Sequence, residues 1–156
     1  MVLYHPEIPQ NTGNVARTCA ATHTPLHLIE PLGFQLSSRH LKRAGLDYWP
    51  QVQLAVHSGW EALCECLPEC RFVFFSARGR QVYHHYGFRP GDCLVFGSET
   101  QGLPEELLEV HAEHVVRLPI DRNRVRSLNL STTVGISLFE AIRQLSLAGE
   151  DQPECR

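Results

Sequence analysis

The chain has 156 residues, 43% hydrophobic and 20% charged, with a formal net charge of −3. That length fits one domain, and the composition is that of a globular chain able to bury a core without disulfides or a structural metal. The balance excludes a globally basic nucleic-acid-binding field, and no apolar run approaches the roughly 20 residues that span a bilayer.

Taken in order, the predicted elements alternate between strand and helix. Residues 2–4 read as a short strand, followed by a Pro-rich turn. Asn11 is placed to cap a helix ending near residue 22. Residues 26–29 form a second strand, and Ser37 or Ser38 caps a basic helix through residue 44. Residues 52–56 are a weak strand, and Ser58 caps a helix that Pro68 stops. Residues 72–75 and 94–96 are continuous apolar runs, as in strands buried on both faces. Pro104 suits a first helical turn, and Glu105 and Glu106 favour its positive end. Residues 115–120 make a last strand. Residues 129–147 make the longest helix, with Leu130, Val134, Leu138, Ala141, Ile142 and Leu145 on one stripe.

This alternation predicts an α/β single domain, a mostly parallel sheet with helices on both faces, over residues 1–148. Residues 149–156 are polar and are expected to be a disordered tail. The opening Met1-Val2-Leu3-Tyr4 lacks the charged region of a signal peptide, which favours a cytoplasmic location. Six cysteines, at 19, 64, 66, 70, 93 and 155, form no C-x-x-C pair, and reduced thiols are favoured over a zinc site. The histidines form no H-x-x-x-H set, and His84 and His85 read as surface. No metal is expected.

Three segments can carry chemistry. Asn11-Thr12-Gly13-Asn14-Val15-Ala16-Arg17 lies between a strand and a helix, where ligand sites of α/β sheets collect, and Arg17 can grip a phosphate by a bidentate fork. A capped helix with a solvent-facing arginine is the competing account. Val95-Phe96-Gly97-Ser98-Glu99-Thr100-Gln101-Gly102-Leu103-Pro104 is a strand end with two glycines before a helix. It lacks the Lys-Ser/Thr of a Walker loop and the spacing of a dinucleotide fingerprint. A plain βα turn competes here. In residues 117–131, Arg122, Arg124 and Arg126 alternate, and an extended backbone would point all three to one side as a phosphate-binding row. A solvated loop competes, and Ser127, Asn129 and Ser131 can be helix caps. A smaller basic group, Arg39, Lys42 and Arg43, precedes Tyr48 and Trp49, a combination that suits an unpaired RNA base and equally a surface helix with a part-buried aromatic pair.

These three segments, in this order, resemble the three motifs of the SPOUT superfamily of RNA methyltransferases. They are most similar to those of the tRNA (cytidine(34)-2′-O)-methyltransferase family. Pro6-Glu7-Ile8-Pro9-Gln10-Asn11-Thr12-Gly13-Asn14 with Arg17 resembles the first motif, residues 96–104 the second, and Arg126-Ser127-Leu128-Asn129-Leu130-Ser131 the third. Leu28-Ile29-Glu30-Pro31-Leu32-Gly33-Phe34 and Arg43-Ala44-Gly45-Leu46-Asp47-Tyr48 add to the likeness. The chain departs from the family's G-P-E-T-R-G in having Ser98 for proline and Gln101 for arginine, and Leu128 stands where methionine is common.

The resemblance implies a C-terminal trefoil knot and S-adenosyl-L-methionine as cofactor. It implies that the backbone around Phe75, Gly97, Leu118 and Ser127, with Leu128 nearby, holds that cofactor. It carries over Arg17, Asn11, Glu99, Ser127 and Asn129 as the polar catalytic set. Arg39, Lys42, Arg43, Arg122, Arg124 and Arg126 are the expected RNA contacts. The implied reaction is 2′-O-methylation of the ribose at wobble position 34 of a tRNA, cytidine or modified uridine, with leucine isoacceptors suggested. A general-base role for Arg17 conflicts with a guanidinium pKa above about 12, so charge stabilisation is the role expected. The apolar stripe of the last helix and a site that two subunits complete motivate a homodimer. The alternatives are methylation of another tRNA or rRNA nucleotide, a non-catalytic RNA-binding module, and a nucleotide-binding α/β protein.

Overall fold

The computed structural model describes residues 1–36 and 49–147. Seven strands are present: β1 (Val2–Tyr4), β2 (Leu26–Ile29), β3 (Leu54–His57), β4 (Phe72–Phe75), β5 (Gln81–Val82), β6 (Cys93–Phe96) and β7 (Val115–Arg117). Among the described residues four α-helices accompany them: α1 (Pro9–Ala21), α2 (Trp60–Cys66), α3 (Glu105–Val110) and α4 (Leu130–Leu147). All strand pairs are parallel, in the order β3-β2-β1-β6-β4-β7-β5.

The apolar runs become strands because both of their faces are covered. One face of the sheet presents Leu3, Leu28, Val73, Phe96 and Val116 to Val15 and Cys19 of α1 and to Leu130, Val134 and Leu138 of α4. The other presents Val2, Ile29, Phe74 and Val95 to Leu63 of α2 and Leu108 of α3. Burying a side chain of this size contributes about 1.5–3 kcal/mol, so the two layers supply most of the folding drive.

Several local expectations change. Helix α1 starts at Pro9, whose missing N–H suits a first helical position, and its N-cap is Ile8, so Asn11 lies inside the helix. Helix α2 is capped at Gly59 with no side-chain bond, so Ser58 is not its cap. The last strand ends at Arg117, because residues 118–120 leave the sheet to line a cavity. Asn129 does cap α4: its Oδ1 accepts from the Ser131 and Thr132 backbone amides at 2.9 and 3.4 Å.

The stripe on α4 is real, but Leu130, Val134, Leu138 and Ala141 are buried in the chain's own core. Those four positions therefore offer no surface to a second subunit. The apolar side chains that α4 leaves exposed are Ile136, Phe139 and Leu147. The predicted basic helix over 37–44, with Arg39, Lys42 and Arg43, and the tail at 149–156 lie outside the described residues.

Candidate active site

The carboxyl ends of β1, β6, β4 and β7 lie side by side in the sheet. This is where open α/β sheets place ligands. β1, β6 and β7 each feed one of the segments singled out above, and β4 lies between the last two, so the topology gathers what the sequence spreads over more than a hundred residues.

The loops after β1 and β6 clamp each other. The Glu99 carboxylate accepts from the backbone amides of Glu7 at 2.8 Å and Ile8 at 3.3 Å. It thereby satisfies the amide of the N-cap residue itself, and it sets a negative charge at that helix's positive end. In return the Glu7 carboxylate accepts from the Thr100 hydroxyl at 2.6 Å and the Thr100 amide at 3.1 Å. Glu7 and Thr100 sit inside the quoted motifs but were not among the expected site residues. The one signal for Glu7 is a carboxylate just ahead of a Pro-initiated helix.

The same carboxylate begins a chain of amides. Asn11 Nδ2 donates to Glu99 Oε1 at 2.9 Å, and Asn129 Nδ2 donates to Asn11 Oδ1 at 2.9 Å. The direction is forced. An ionised carboxylate only accepts, so Asn11 must turn its NH2 toward Glu99 and its oxygen toward Asn129. Asn129 must then donate, which leaves its own oxygen to cap α4 and to accept from Ser131 Oγ at 2.7 Å. Residues from all three motifs thus form one hydrogen-bonded path.

Gly97 follows β6 directly, where the loop doubles back. A Cβ there would lie 2.1 Å from the Gly102 carbonyl carbon and 2.3 Å from the Leu103 nitrogen. Its bare Cα is required by the loop's own backbone, which leaves no room for a side chain at Gly97. Ser98, which replaces the family's proline, closes the loop: its Oγ accepts from the Gln101 amide at 3.2 Å, and its backbone pairs with Gly102.

A cavity of about 390 Å³ opens beside β7, lined by Ala77, Arg117, Leu118, Pro119, Ile120 and Arg122. Of the expected cofactor residues, Leu118 lines it. Phe75 ends the neighbouring strand β4, and Gly97 directly follows β6. The Phe75 ring itself is buried, stacked on Phe96 with centroids 4.6 Å apart. Ser127 and Leu128 are not among the lining residues.

Arg122, Arg124 and Arg126 are exposed but form no extended row. Asp121 turns the chain: its carbonyl accepts from the Arg124 and Val125 amides, its carboxylate accepts from the Asn123 amide, and it pairs with Arg124 at 3.4 Å. An Asx-type turn has replaced the extended segment. Arg17 is exposed on α1. Six residues on, it stands roughly 120° round the helix from Asn11. His84 and His85 are exposed, as read. No three metal-ligating side chains are grouped among the described residues.

Comparison with known proteins decides the lineage. The SpoU rRNA Methylase family model matches residues 1–139. The chain belongs to the SpoU methylase family. This SpoU methylase is 51% identical over 152 residues to the tRNA (cytidine(34)-2′-O)-methyltransferase of Burkholderia cenocepacia, covering 96% of this chain and 97% of that one. It is 49% identical over 150 residues to the enzyme of the same name from Methylovorus glucosotrophus, with 96% and 97% covered. A solved structure bearing on 2-OH methylation of C/U34 on tRNA superposes with a TM-score of 0.85 at 55% identity, covering 93% of this chain and 94% of that one. An AdoMet-bound rRNA methyltransferase from Sinorhizobium meliloti superposes with a TM-score of 0.80 at 27% identity, over 92% of this chain and 55% of that one. The family resemblance read from the three motifs is borne out, as is the single-domain parallel α/β fold.

Proposed function

We propose that this SpoU methylase transfers a methyl group from S-adenosylmethionine to the ribose 2′-hydroxyl of wobble nucleotide 34 in tRNA, acting in the cytoplasm as a homodimer. The observation that carries this reading is the amide path Glu99–Asn11–Asn129, which locks the loops of all three motifs at the strand ends in a chain about half identical to tRNA (cytidine(34)-2′-O)-methyltransferases.

The cofactor fits the residues present. The cavity volume falls in the roughly 300–1,000 Å³ range of small-molecule sites. Leu118, Pro119, Ile120 and Ala77 offer apolar walls for a purine, and their backbone offers donors and acceptors for its edge. When bound, the cofactor supplies an electrophilic sulfonium methyl group. The protein's part is alignment and charge stabilisation. The amide path fixes the loops around the reacting atoms, and Arg17 grips the target's phosphate and offsets charge on the attacking oxygen.

Arg17 is exposed and about 120° round α1 from Asn11, which supports a reading in which a second copy brings its Arg17 to that path. Exposed Ile136 and Phe139, on the helix packed against α1, suit burial against that copy. The C-terminal knot belongs to the same reading, supported by the crossovers that set β6 between β1 and β4 and β7 between β4 and β5. Leucine isoacceptors are its narrowest part.

The test is to incubate bulk tRNA with labelled cofactor and map the 2′-O-methyl groups. Label at position 34 is the expected result. Label elsewhere, or on rRNA alone, would move the enzyme within its family. No cofactor binding at all would leave an RNA-binding module.

A further inference from the structure

We propose that Arg117 is a positioning residue for the cofactor cavity: it ties the turn at residues 76–80 to β7, so that the two walls of the cavity are held as one piece. The inference rests on the cofactor reading above and concerns a residue that no motif contains.

The two walls come from different parts of the chain. Ala77 belongs to the turn after β4, whereas Leu118, Pro119 and Ile120 follow β7. Arg117 lies at their junction. Its Nη1 donates to the Gly79 carbonyl at 2.8 Å and also to the Arg80 carbonyl. Charge-assisted bonds to two successive carbonyls fix the orientation of those peptides, which a single neutral contact would not.

The turn is built to lie against β7. Its Ser76 amide donates to the Val116 carbonyl at 2.9 Å, and the Gly79 amide returns to the Ser76 carbonyl at 3.0 Å. A Cβ on Gly79 would stand 2.5 Å from the Val116 carbonyl carbon, so the turn's backbone is in direct contact with the strand. From the outside, Arg78 pairs with Glu105 at 2.6 Å, but both are largely exposed and such a pair contributes little. The half-buried Arg117 is therefore the main polar tie beyond the backbone itself. Without it, the Ala77 wall loses two of the bonds that set its distance from Leu118.

The experiment compares wild type with Arg117→Met and Arg117→Lys, by calorimetric titration of S-adenosylhomocysteine and by timed trypsin digestion without ligand. Losing the tie in Arg117→Met should weaken cofactor binding by about 10-fold or more, the scale of a lost hydrogen bond to a charged group. It should also speed cleavage after Arg78 and Arg80, with saturating cofactor slowing that cleavage again. Arg117→Lys, whose ammonium can still reach a carbonyl, should fall between the two. Should Arg117→Met fail to fold, Arg117→Gln takes its place with the same expectation. Wild-type affinity in the Met or Gln variant overturns the inference. Weak binding with unchanged cleavage overturns it too, because that result assigns Arg117 to direct contact instead. A wild type that binds no cofactor is a separate outcome and overturns the cofactor reading itself.

Discussion

Asn129 carries two duties on two atoms, and a single substitution can separate them. Its Oδ1 caps α4, and its Nδ2 donates to Asn11. Asn129→Asp keeps an acceptor at a helix N-terminus, where a carboxylate is favoured. It also turns an oxygen toward the Asn11 oxygen, and Asn11 cannot rotate away without facing Glu99 the wrong way round. Urea unfolding should therefore place this variant within about 1 kcal/mol of wild type, whereas Asn129→Ala should lose about 0.5–2 kcal/mol with the cap. Methyl transfer should fall by about 10-fold or more in both, the scale of a lost positioning contact. Full activity in the Asp variant would reduce the amide path to a structural feature. Arg17 answers to a different assay. Arg17→Ala should lower single-turnover methylation at saturating tRNA by about 100-fold, the usual scale for one electrostatic contact in the transition state. Cofactor affinity should hardly move, and Arg17→Lys should rescue poorly, because an ammonium lacks the planar fork. The polar residues of the site were legible as types at motif positions. Their partners were not: Asn11 reads from sequence as a helix cap, and only the approach of the β6 loop gives its side chain to Glu99.

At the scale of elements, the β6 loop owes its shape to its own backbone. Gly97→Ala would push a methyl group into the Gly102–Leu103 peptide. Peptide atoms cannot swing aside as a flexible side chain can, so the loop must open. The expected loss is about 1–3 kcal/mol of stability, an overpacking cost, read as a lower melting temperature together with weaker cofactor binding. A variant as stable as wild type but deficient in cofactor binding would restore the simpler idea of a glycine facing the ligand. Strands β1, β4 and β6 were readable because each is an apolar run buried on both faces, and β2 because three of its four residues are apolar. β5 was not: Gln81 and Val82 carry no pattern, and pairing with β7 alone makes them a strand. The Arg122–Arg126 alternation misled for a related reason. A period of two means a shared side only in extended chain, and Asp121 uses its carbonyl and carboxylate to turn the chain instead.

For the whole molecule, acid sensitivity follows from the packing, and the proposed assembly is open to direct test. His27 shares a 2.9 Å hydrogen bond with His57, and burial, then the N-terminal amine and His57, push its pKa down to about 4. An unfolded imidazole titrates near about 6.5, so between these values the unfolded chain holds more protons. Stability from this source is whole above about pH 6.5 and declines as pH falls toward 4, and a His27→Gln series of melting curves should flatten that decline. Assembly gives the sharpest test of the proposed site. Sedimentation should find about twice the 17.7 kDa chain mass. If each site joins Arg17 of one subunit to the amide path of the other, Arg17→Ala and Asn129→Asp damage different halves of it. Co-expressed under two tags and purified through both, the mixed dimer holds one site with neither defect and one with both. It should recover about half the activity of wild-type dimer per molecule, while either variant alone stays low. If Arg17 serves its own chain's path, each site of the mixed dimer keeps one defect and no activity returns. The same purified dimer thus decides whether the outward-facing Arg17 serves its own subunit or its partner.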